Sequence, residues 1–248
     1  MTTGRSIAIA SGKGGVGKTW FAITLSHALT REGKRVLLFD GDLGLANVDI
    51  QLGLTPQRDL AGIVAGSATL AETALHYAGG GFDIVAGRSG SGALSAVDPG
   101  ALERTLAALR EAAERYDIVL LDLGAGLDRG VRRMSAWADT LLVLATEEPT
   151  SLTDAYAVLK LYAVDRPGGD ARVVVNQATT QQAGERTFAT LQRACQTFLG
   201  YAPSLVGVVR RDDRVRDAIR RQTPLLSRHP ACAAASDVEA AARALLGA

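Results

Sequence analysis

The stretch that decides the fold is Gly12-Lys13-Gly14-Gly15-Val16-Gly17-Lys18-Thr19. It fits the phosphate-loop pattern G-x-x-x-x-G-K-[S/T], in which glycines let the backbone turn tightly and point its N–H groups at phosphate oxygens. The apolar run Ile7–Ala10 precedes it and the helical pattern Phe21–Arg31 follows it. A glycine-rich turn that matched by chance would lack this strand–loop–helix context, so the sequence predicts a nucleotide-binding loop.

Outward from this loop, short apolar runs alternate with helical stretches. The further runs are Val36–Phe39, Phe82–Val85, Ile118–Leu121, Thr140–Ala145, Val173–Val175 and Leu205–Val209. They are rich in Val, Ile and Leu and do not alternate with polar residues, which is typical of strands covered on both faces. Helical periodicity marks Gly100–Arg115 and Ser151–Val164, and loops are expected at Gly79–Gly81 and Ser89–Gly92. The pattern predicts an α/β fold with a doubly wound, mostly parallel sheet flanked by helices, in a single domain over residues 1–248.

Composition narrows the function classes further. Lys plus Arg number 27 and Asp plus Glu 26, so whole-protein charge gives no argument for nucleic acid or membrane binding. Cys195 and Cys232 lack CxxC spacing and are expected to be thiols in a reducing compartment. The N-terminus enters a strand at once, and no apolar run approaches the ~18 residues that a membrane span needs. We therefore expect a soluble cytoplasmic protein.

The chemistry of the loop assigns roles to two side chains. Lys18 is placed to contact the β- and γ-phosphates, and the Thr19 hydroxyl is a candidate Mg²⁺ ligand at the start of a helix. The motif does not require Lys13. That lysine is either a solvated surface residue or a residue that reaches a phosphate across a dimer interface.

Aspartates follow two of the predicted strands, where ligands bind in such sheets. Asp122 ends the run Ile118–Leu121, and an aspartate there needs a cation or donors to offset its desolvation. We assign Asp122, with Thr19 and Asp40, to the metal, and Asp42 to the orientation of the attacking water. The alternative for these aspartates is helix capping. Gly124 and Gly126 are expected to form a turn that senses the γ-phosphate.

The stretch Lys13–Thr19 resembles the deviant Walker A box of the MinD/ParA family. The resemblance implies an Mg²⁺-dependent ATPase that binds ATP or ADP and forms an ATP-sandwich homodimer, in which Lys13 contacts the partner's nucleotide. It also places Gly12, Lys13, Gly14, Gly15, Val16, Gly17, Lys18, Thr19 and Trp20 around the nucleotide. Trp20 is a departure, because many relatives carry Thr, Ser or Asn there.

Other stretches are similar to the FlhG branch of that family (also called FleN or YlxH). Asp40–Asp49 resembles its switch I, Asp122–Gly126 its switch II, and Glu148–Tyr156 a third stretch. The resemblance implies that Asn176, at the end of Val174-Val175-Asn176, reads adenine. It also implies that Glu148 touches the partner's nucleotide, the alternative being a glutamate at the rim of the site.

A regulator of flagellar number or placement is the function that this resemblance implies, with a flagellar or polar-localisation protein as partner. The expected location is the cytoplasm, with polar or peripheral membrane association through partners. Two alternatives stay open. One is a ParA-like partition or positioning ATPase that binds DNA, and the other is a nucleotide-gated scaffold with little turnover.

Two segments bear on membrane and DNA. The tail Ser236–Gly247 has a narrow, alanine-rich apolar stripe, so we expect it to pack on the sheet and the chain alone to bind lipid weakly. The stretch Arg210–Arg221 holds six arginines with three aspartates between them. It is either a solvated helix face or a weak DNA-binding patch that ATP-driven dimerisation would strengthen.

Overall fold

The computed structural model describes residues 4–42, 44–87 and 99–247. Over these residues the strands form one sheet in the order β3-β4-β2-β5-β1-β6-β7-β8, and every pairing is parallel except β3 with β4. The strands are β1 (Arg5–Ser11), β2 (Val36–Gly41), β3 (Leu75–Tyr77), β4 (Phe82–Val85), β5 (Ile118–Ala125), β6 (Thr140–Ala145), β7 (Asp170–Ala178) and β8 (Ser204–Arg210). The predicted doubly wound α/β architecture is confirmed.

Helices connect these strands and cover both faces of the sheet. They are α1 (Lys18–Arg31), α2 (Val48–Leu52), α3 (Leu60–Val64), α4 (Leu70–Thr73), α5 (Pro99–Ala112), α6 (Arg129–Trp137), α7 (Pro149–Asp165), α8 (Gln181–Leu199), α9 (Asp213–Arg220), α10 (Leu225–Arg228) and α11 (Ala233–Leu246). None of the described helices is long and apolar enough to cross a bilayer.

The central strand β1 is buried on both faces, as its unbroken apolar sequence predicts. Ile7 and Ile9 belong to a core shared with α1 and α11, while Ala8 and Ala10 belong to a core shared with α5 to α8. On the first face, Val238, Ala241, Ala242 and Leu245 of α11 are buried. The apolar stripe of the tail therefore packs within the fold, as expected.

Several boundaries differ from the sequence predictions. β5 continues three residues past Asp122, because Leu123 pairs with Gly41 and Ala125 with Ser11. Asp122 and Gly124 thus lie inside a strand, and Asp40 lies inside β2 rather than after it. The short edge strand β3 was not predicted. The expected loop at 89–92, and Leu43 of the switch I stretch, lie outside the described residues.

Candidate nucleotide-binding site

The glycine-rich loop leaves β1 at the point where the sheet order reverses, since β1 lies between β5 and β6. In sheets of this kind the crevice for ligands opens at that point. Gly15 and Gly17 have φ angles of 79° and 88°, which favour glycine. A Cβ added to Gly14 or Gly15 would meet no atom of the described residues within 4 Å, so the space beside these two exposed glycines is open.

Close packing behind the loop explains its other glycines. A Cβ on Gly12 would lie 2.5 Å from the backbone oxygen of Asp154 in α7. A Cβ on Gly17 would lie 2.7 Å from Nδ2 of Asn176 at the end of β7. The Ser11 hydroxyl donates to the backbone oxygen of Lys13 over 2.7 Å. The loop is therefore held against α7 and β7, and its first and fourth glycines cannot be enlarged without moving a neighbour.

Lys18, Thr19 and Asp122 form the charged centre of the site. Lys18 and Asp122 are 9% and 1% exposed. The Thr19 hydroxyl lies beside the Asp122 carboxylate, whose Oδ1 is buried with no partner among the described residues. Burial raises the pKa of Asp122 to about 6, against the lowering effects of Thr19 and Lys18. A buried oxygen without a donor, beside a threonine hydroxyl, fits the oxygen ligands that Mg²⁺ prefers, directly or through water.

Asp40 lies next to Asp122 in the sheet but uses its carboxylate differently. Its Oδ2 accepts the backbone N–H groups of Asn47 and Val48, each over 3.1 Å, and its Oδ1 that of Asp42 over 3.3 Å. Burial and the neighbouring Asp122 raise its pKa to about 8. These bonds resemble the predicted capping alternative, because they hold the start of α2. The assignment of Asp40 to the metal stays a prediction. Thr19 and Asp122 are better placed than Asp40 to hold Mg²⁺.

Asp42 stands at the mouth of the site. Its Oδ1 accepts the N–H groups of Gly44 and Leu45, over 3.3 and 2.9 Å. A Cβ on Gly124 would lie 3.4 Å from the same oxygen, so the carboxylate faces the second switch stretch. One oxygen of Asp42 therefore shapes its own turn. Its role in orienting water is untested and stays a prediction.

Lys13 is paired within its own chain. Its Nζ lies 2.5 Å from Oε2 of Glu148 and 3.1 Å from the Thr150 hydroxyl, at the N-terminus of α7. This contact lowers the pKa of Glu148 below its usual range. The Lys13 and Glu148 side chains are 40% and 65% exposed. Lys13 thus pairs with a residue of its own chain at the surface, in an exposed ion pair that salt screens and that a stronger anion can replace. Its assignment to the nucleotide of a partner stays a prediction.

A cavity of about 330 Å³ adjoins the phosphate loop, a size typical of small-molecule pockets. Gly15, Gly17, Trp20, Asn176, Gln177 and residues 210–212, 215, 216 and 219 line it. Asn176 is 2% exposed, and its Nδ2 donates to the Val16 backbone oxygen over 2.8 Å. The predicted adenine-reading residue is therefore at the cavity and is already bonded to the loop.

Gln177 and Trp20 also line this cavity. Gln177, which the sequence reasoning missed, has a φ angle of 57° and donates from Nε2 to the Gly15 backbone oxygen over 3.2 Å. Its position directly after Asn176 was the available signal. Trp20 is 7% exposed, and its Nε1 is buried without a partner among the described residues. The indole ring thus makes this part of the cavity wall apolar. A Thr or Ser at the same position would place a polar hydroxyl there.

The arginine-rich stretch forms another wall of the cavity. The Arg210 guanidinium donates two hydrogen bonds to Asp237, and Arg221 lies 3.7 Å from Asp217, so these two charges are partly offset. Arg211 and Arg216 line the cavity and have no ion pair among the described residues. The sequence predicted a mixed-charge helix face but not its contact with the nucleotide cavity.

Comparison with known proteins agrees with this geometry. The family described as "CobQ/CobB/MinD/ParA nucleotide binding domain" matches residues 7–225. The antiactivator FleN of Pseudomonas aeruginosa is 38% identical over 90% of this chain and 80% of its own length. The flagellum site-determining protein YlxH of Helicobacter pylori is 28% identical over 75% of this chain and 62% of its own length. The septum site-determining protein MinD of Pyrococcus horikoshii, solved with Mg-ADP, has a TM-score of 0.81 at 24% identity, covering 97% of this chain and 95% of its own.

Proposed function

The chain belongs to the CobQ/CobB/MinD/ParA nucleotide-binding family, and from that membership we propose that it hydrolyses ATP as a single-domain switch that dimerises on ATP. The observation that carries the proposal is the buried pair of Lys18 and Asp122, with the half-buried Thr19 beside it, next to an open phosphate loop. A lysine at the loop's end supplies positive charge, and a carboxylate oxygen with no partner in the described part of the chain lies beside a threonine hydroxyl. This combination suits a metal–triphosphate complex.

Each group of the site has a defined task in this proposal. The loop's N–H groups and the N-terminus of α1 bind phosphate oxygens, and Lys18 offsets the charge of the β- and γ-phosphates. Thr19 and Asp122 hold Mg²⁺, which when bound neutralises charge on those phosphates. Asn176 and Gln177 position the nucleoside in the adjoining cavity. ADP and ATP share all of these contacts except those to the γ-phosphate.

Asp42 is the residue that we assign to the attacking water. Its Oδ1 is held by two backbone N–H groups, and no partner is recorded for Oδ2 among the described residues. A carboxylate oxygen at the mouth of the site can accept a proton from water and orient it toward the γ-phosphate. Its neighbour Gly124 allows the switch stretches to approach each other.

The position of Lys13 supports the proposed dimerisation. This lysine cannot serve its own loop while it pairs with Glu148, but the pair is exposed and therefore weak. A triphosphate of a second copy is a stronger anion than one glutamate. We propose that Lys13 moves from Glu148 to the partner's nucleotide when two ATP-bound copies meet, and that Glu148 then lies beside that nucleotide.

The cellular role that best suits the relatives is control of flagellar number or placement. FleN is an antiactivator, and YlxH is a flagellum site-determining protein. We propose that this chain is a regulator of the same kind, with a flagellar or polar-localisation protein as its partner. A ParA-like role with DNA is the second candidate, because Arg211, Arg216 and Arg220 have no ion pair among the described residues.

Phosphate release from MgATP tests the proposal. The wild-type chain should turn over ATP slowly and should require Mg²⁺. Lys18→Ala should abolish turnover and MgATP binding, because a charge-assisted contact in a buried site is lost. Adding DNA to the assay separates the two roles, since a partition ATPase should respond to DNA and a flagellar regulator should not. A wild-type chain that binds no adenine nucleotide would refute the ATPase assignment.

A further inference from the structure

Gln222 is one of two non-glycine residues with a positive φ angle among the described residues, at 50°. It follows the C-cap of α9, where its N–H donates to the Ile219 oxygen and the next N–H, of Thr223, donates to the Ala218 oxygen. Helices that end in this way usually place glycine at this position. A glutamine there adopts the same left-handed backbone at a cost in strain. A contact made by its side chain can offset that cost.

The side chain of Gln222 contacts the end of α2, 172 residues away in sequence. Its Nε2 donates to the Ile50 backbone oxygen over 2.9 Å. A Cβ on Gly53, the C-cap of α2, would lie 2.9 Å from Gln222 Oε1. Gly53 thus leaves space for the glutamine amide, and the contact fixes the end of α2 to the end of α9.

The two helices that Gln222 joins belong to different parts of the nucleotide site. The first turn of α2 is held by Asp40, which accepts the N–H groups of Asn47 and Val48 and lies beside Asp122. On the other side, α9 supplies Val215, Arg216 and Ile219 to the cavity next to the phosphate loop. A base bound in that cavity would contact α9, whereas the Asp40 carboxylate contacts the start of α2.

We infer that Gln222 is a positioning residue that couples the nucleoside cavity to α2, so that a bound base orders the switch residues around Asp40 and Asp42. This inference rests on the proposed nucleotide function and adds to it a route by which the base affects the phosphate end. Coupling of this kind is reciprocal, so order in α2 also favours base binding. Loss of one net hydrogen bond of this type changes an equilibrium by roughly two- to tenfold.

Hydrogen exchange on the full chain tests the inference with two ligands that differ in the nucleoside. ADP fills the loop and the cavity, whereas pyrophosphate fills the loop alone. In the wild type, ADP should slow exchange in residues 44–53 more than pyrophosphate does, each at saturation. In Gln222→Gly this extra protection should fall by roughly two- to tenfold, while α9 stays protected by ADP. Thr223→Ala is the matched control, because its hydroxyl donates to Arg221 within the same turn.

The variant also separates coupling from a merely structural role. Gln222→Gly suits the left-handed backbone, so it should fold and unfold at nearly the wild-type denaturant concentration. Equal protection of residues 44–53 by ADP and pyrophosphate in the wild type would overturn the inference, as would an unchanged difference in Gln222→Gly. A wild-type chain that fails to bind ADP would instead refute the proposed function, which binding measured in the same samples reveals.

Discussion

Asp122→Asn is expected to make the ligand-free protein more stable and the Mg²⁺-nucleotide complex weaker. The folded-state pKa of Asp122, about 6, lies above the ordinary value of 3.8. The folded chain therefore binds this proton more tightly than the unfolded chain, and stability falls as pH rises from about 4 to about 6. Above that window the buried carboxylate is charged, with Oδ1 unpartnered among the described residues. Asparagine keeps the shape and removes the charge.

The size of the effect follows from the two pKa values. A difference of about two units corresponds to on the order of 3 kcal/mol at pH 7. For a chain of this length, that is roughly 6–12 °C in the melting temperature. The carboxylate of Asp40, whose pKa is raised to about 8 partly by Asp122, should become easier to ionise in the variant, which adds in the same direction. At pH 4, where both carboxyls are protonated, the variant and wild type should melt together.

Thermal melts at pH 4 and pH 7, with and without MgADP, measure both parts of this prediction. Mg²⁺ should raise the melting temperature of the ADP complex in the wild type and much less in Asp122→Asn. Asp117→Asn is the matched control with the opposite sign, because Arg35 holds the pKa of Asp117 below its usual range. An Asp122→Asn variant that melts lower than wild type at pH 7, or that keeps the full effect of Mg²⁺, would refute the reasoning.

Three further predictions concern the catalytic rate, the preference for adenine, and binding to membranes or DNA. Asp42→Ala should lower turnover by roughly 10²-fold or more while ATP still binds, because only the water-orienting carboxylate is lost, and an unchanged kcat would remove that role. Asn176→Ala should reduce discrimination of ATP over GTP in competition binding, and equal preference before and after would exclude the adenine assignment. This chain should bind anionic liposomes weakly with either nucleotide. In a DNA shift assay, salt-sensitive ATP-dependent binding that Arg220→Ala plus Arg221→Ala abolishes would favour the partition role instead.

The sequence was sufficient wherever the signal is local. The phosphate loop, the buried strands and the tail helix follow from contiguous residues, and the structure agrees with them. β3 was missed because Leu75–Tyr77 is three residues long and two of them are exposed. The apolar pattern also stops at Leu121, so it predicts that β5 ends before Asp122. The strand continues past this charged residue, which belongs to the candidate site.

Contacts between distant residues could not be predicted from pattern. Glu148 is 135 residues from Lys13, and nothing in either neighbourhood indicates that they pair within one chain. The three backbone bonds of Asp40 depend on how residues 42, 47 and 48 fold back over β2. The left-handed conformations of Gln177 and Gln222 carry no sequence signal, because such positions usually hold glycine.

In the proposed switch, ATP brings two copies of this chain together through Lys13. Light scattering of the Asp42→Ala variant measures this step, because slow turnover preserves the ATP-bound state. The variant should have the mass of one chain, 25.9 kDa, with MgADP and twice that mass with MgATP. It should have the mass of one chain under both conditions when Lys13→Ala is added. A monomer in MgATP, or an Asp42→Ala, Lys13→Ala double variant that still dimerises, would contradict it.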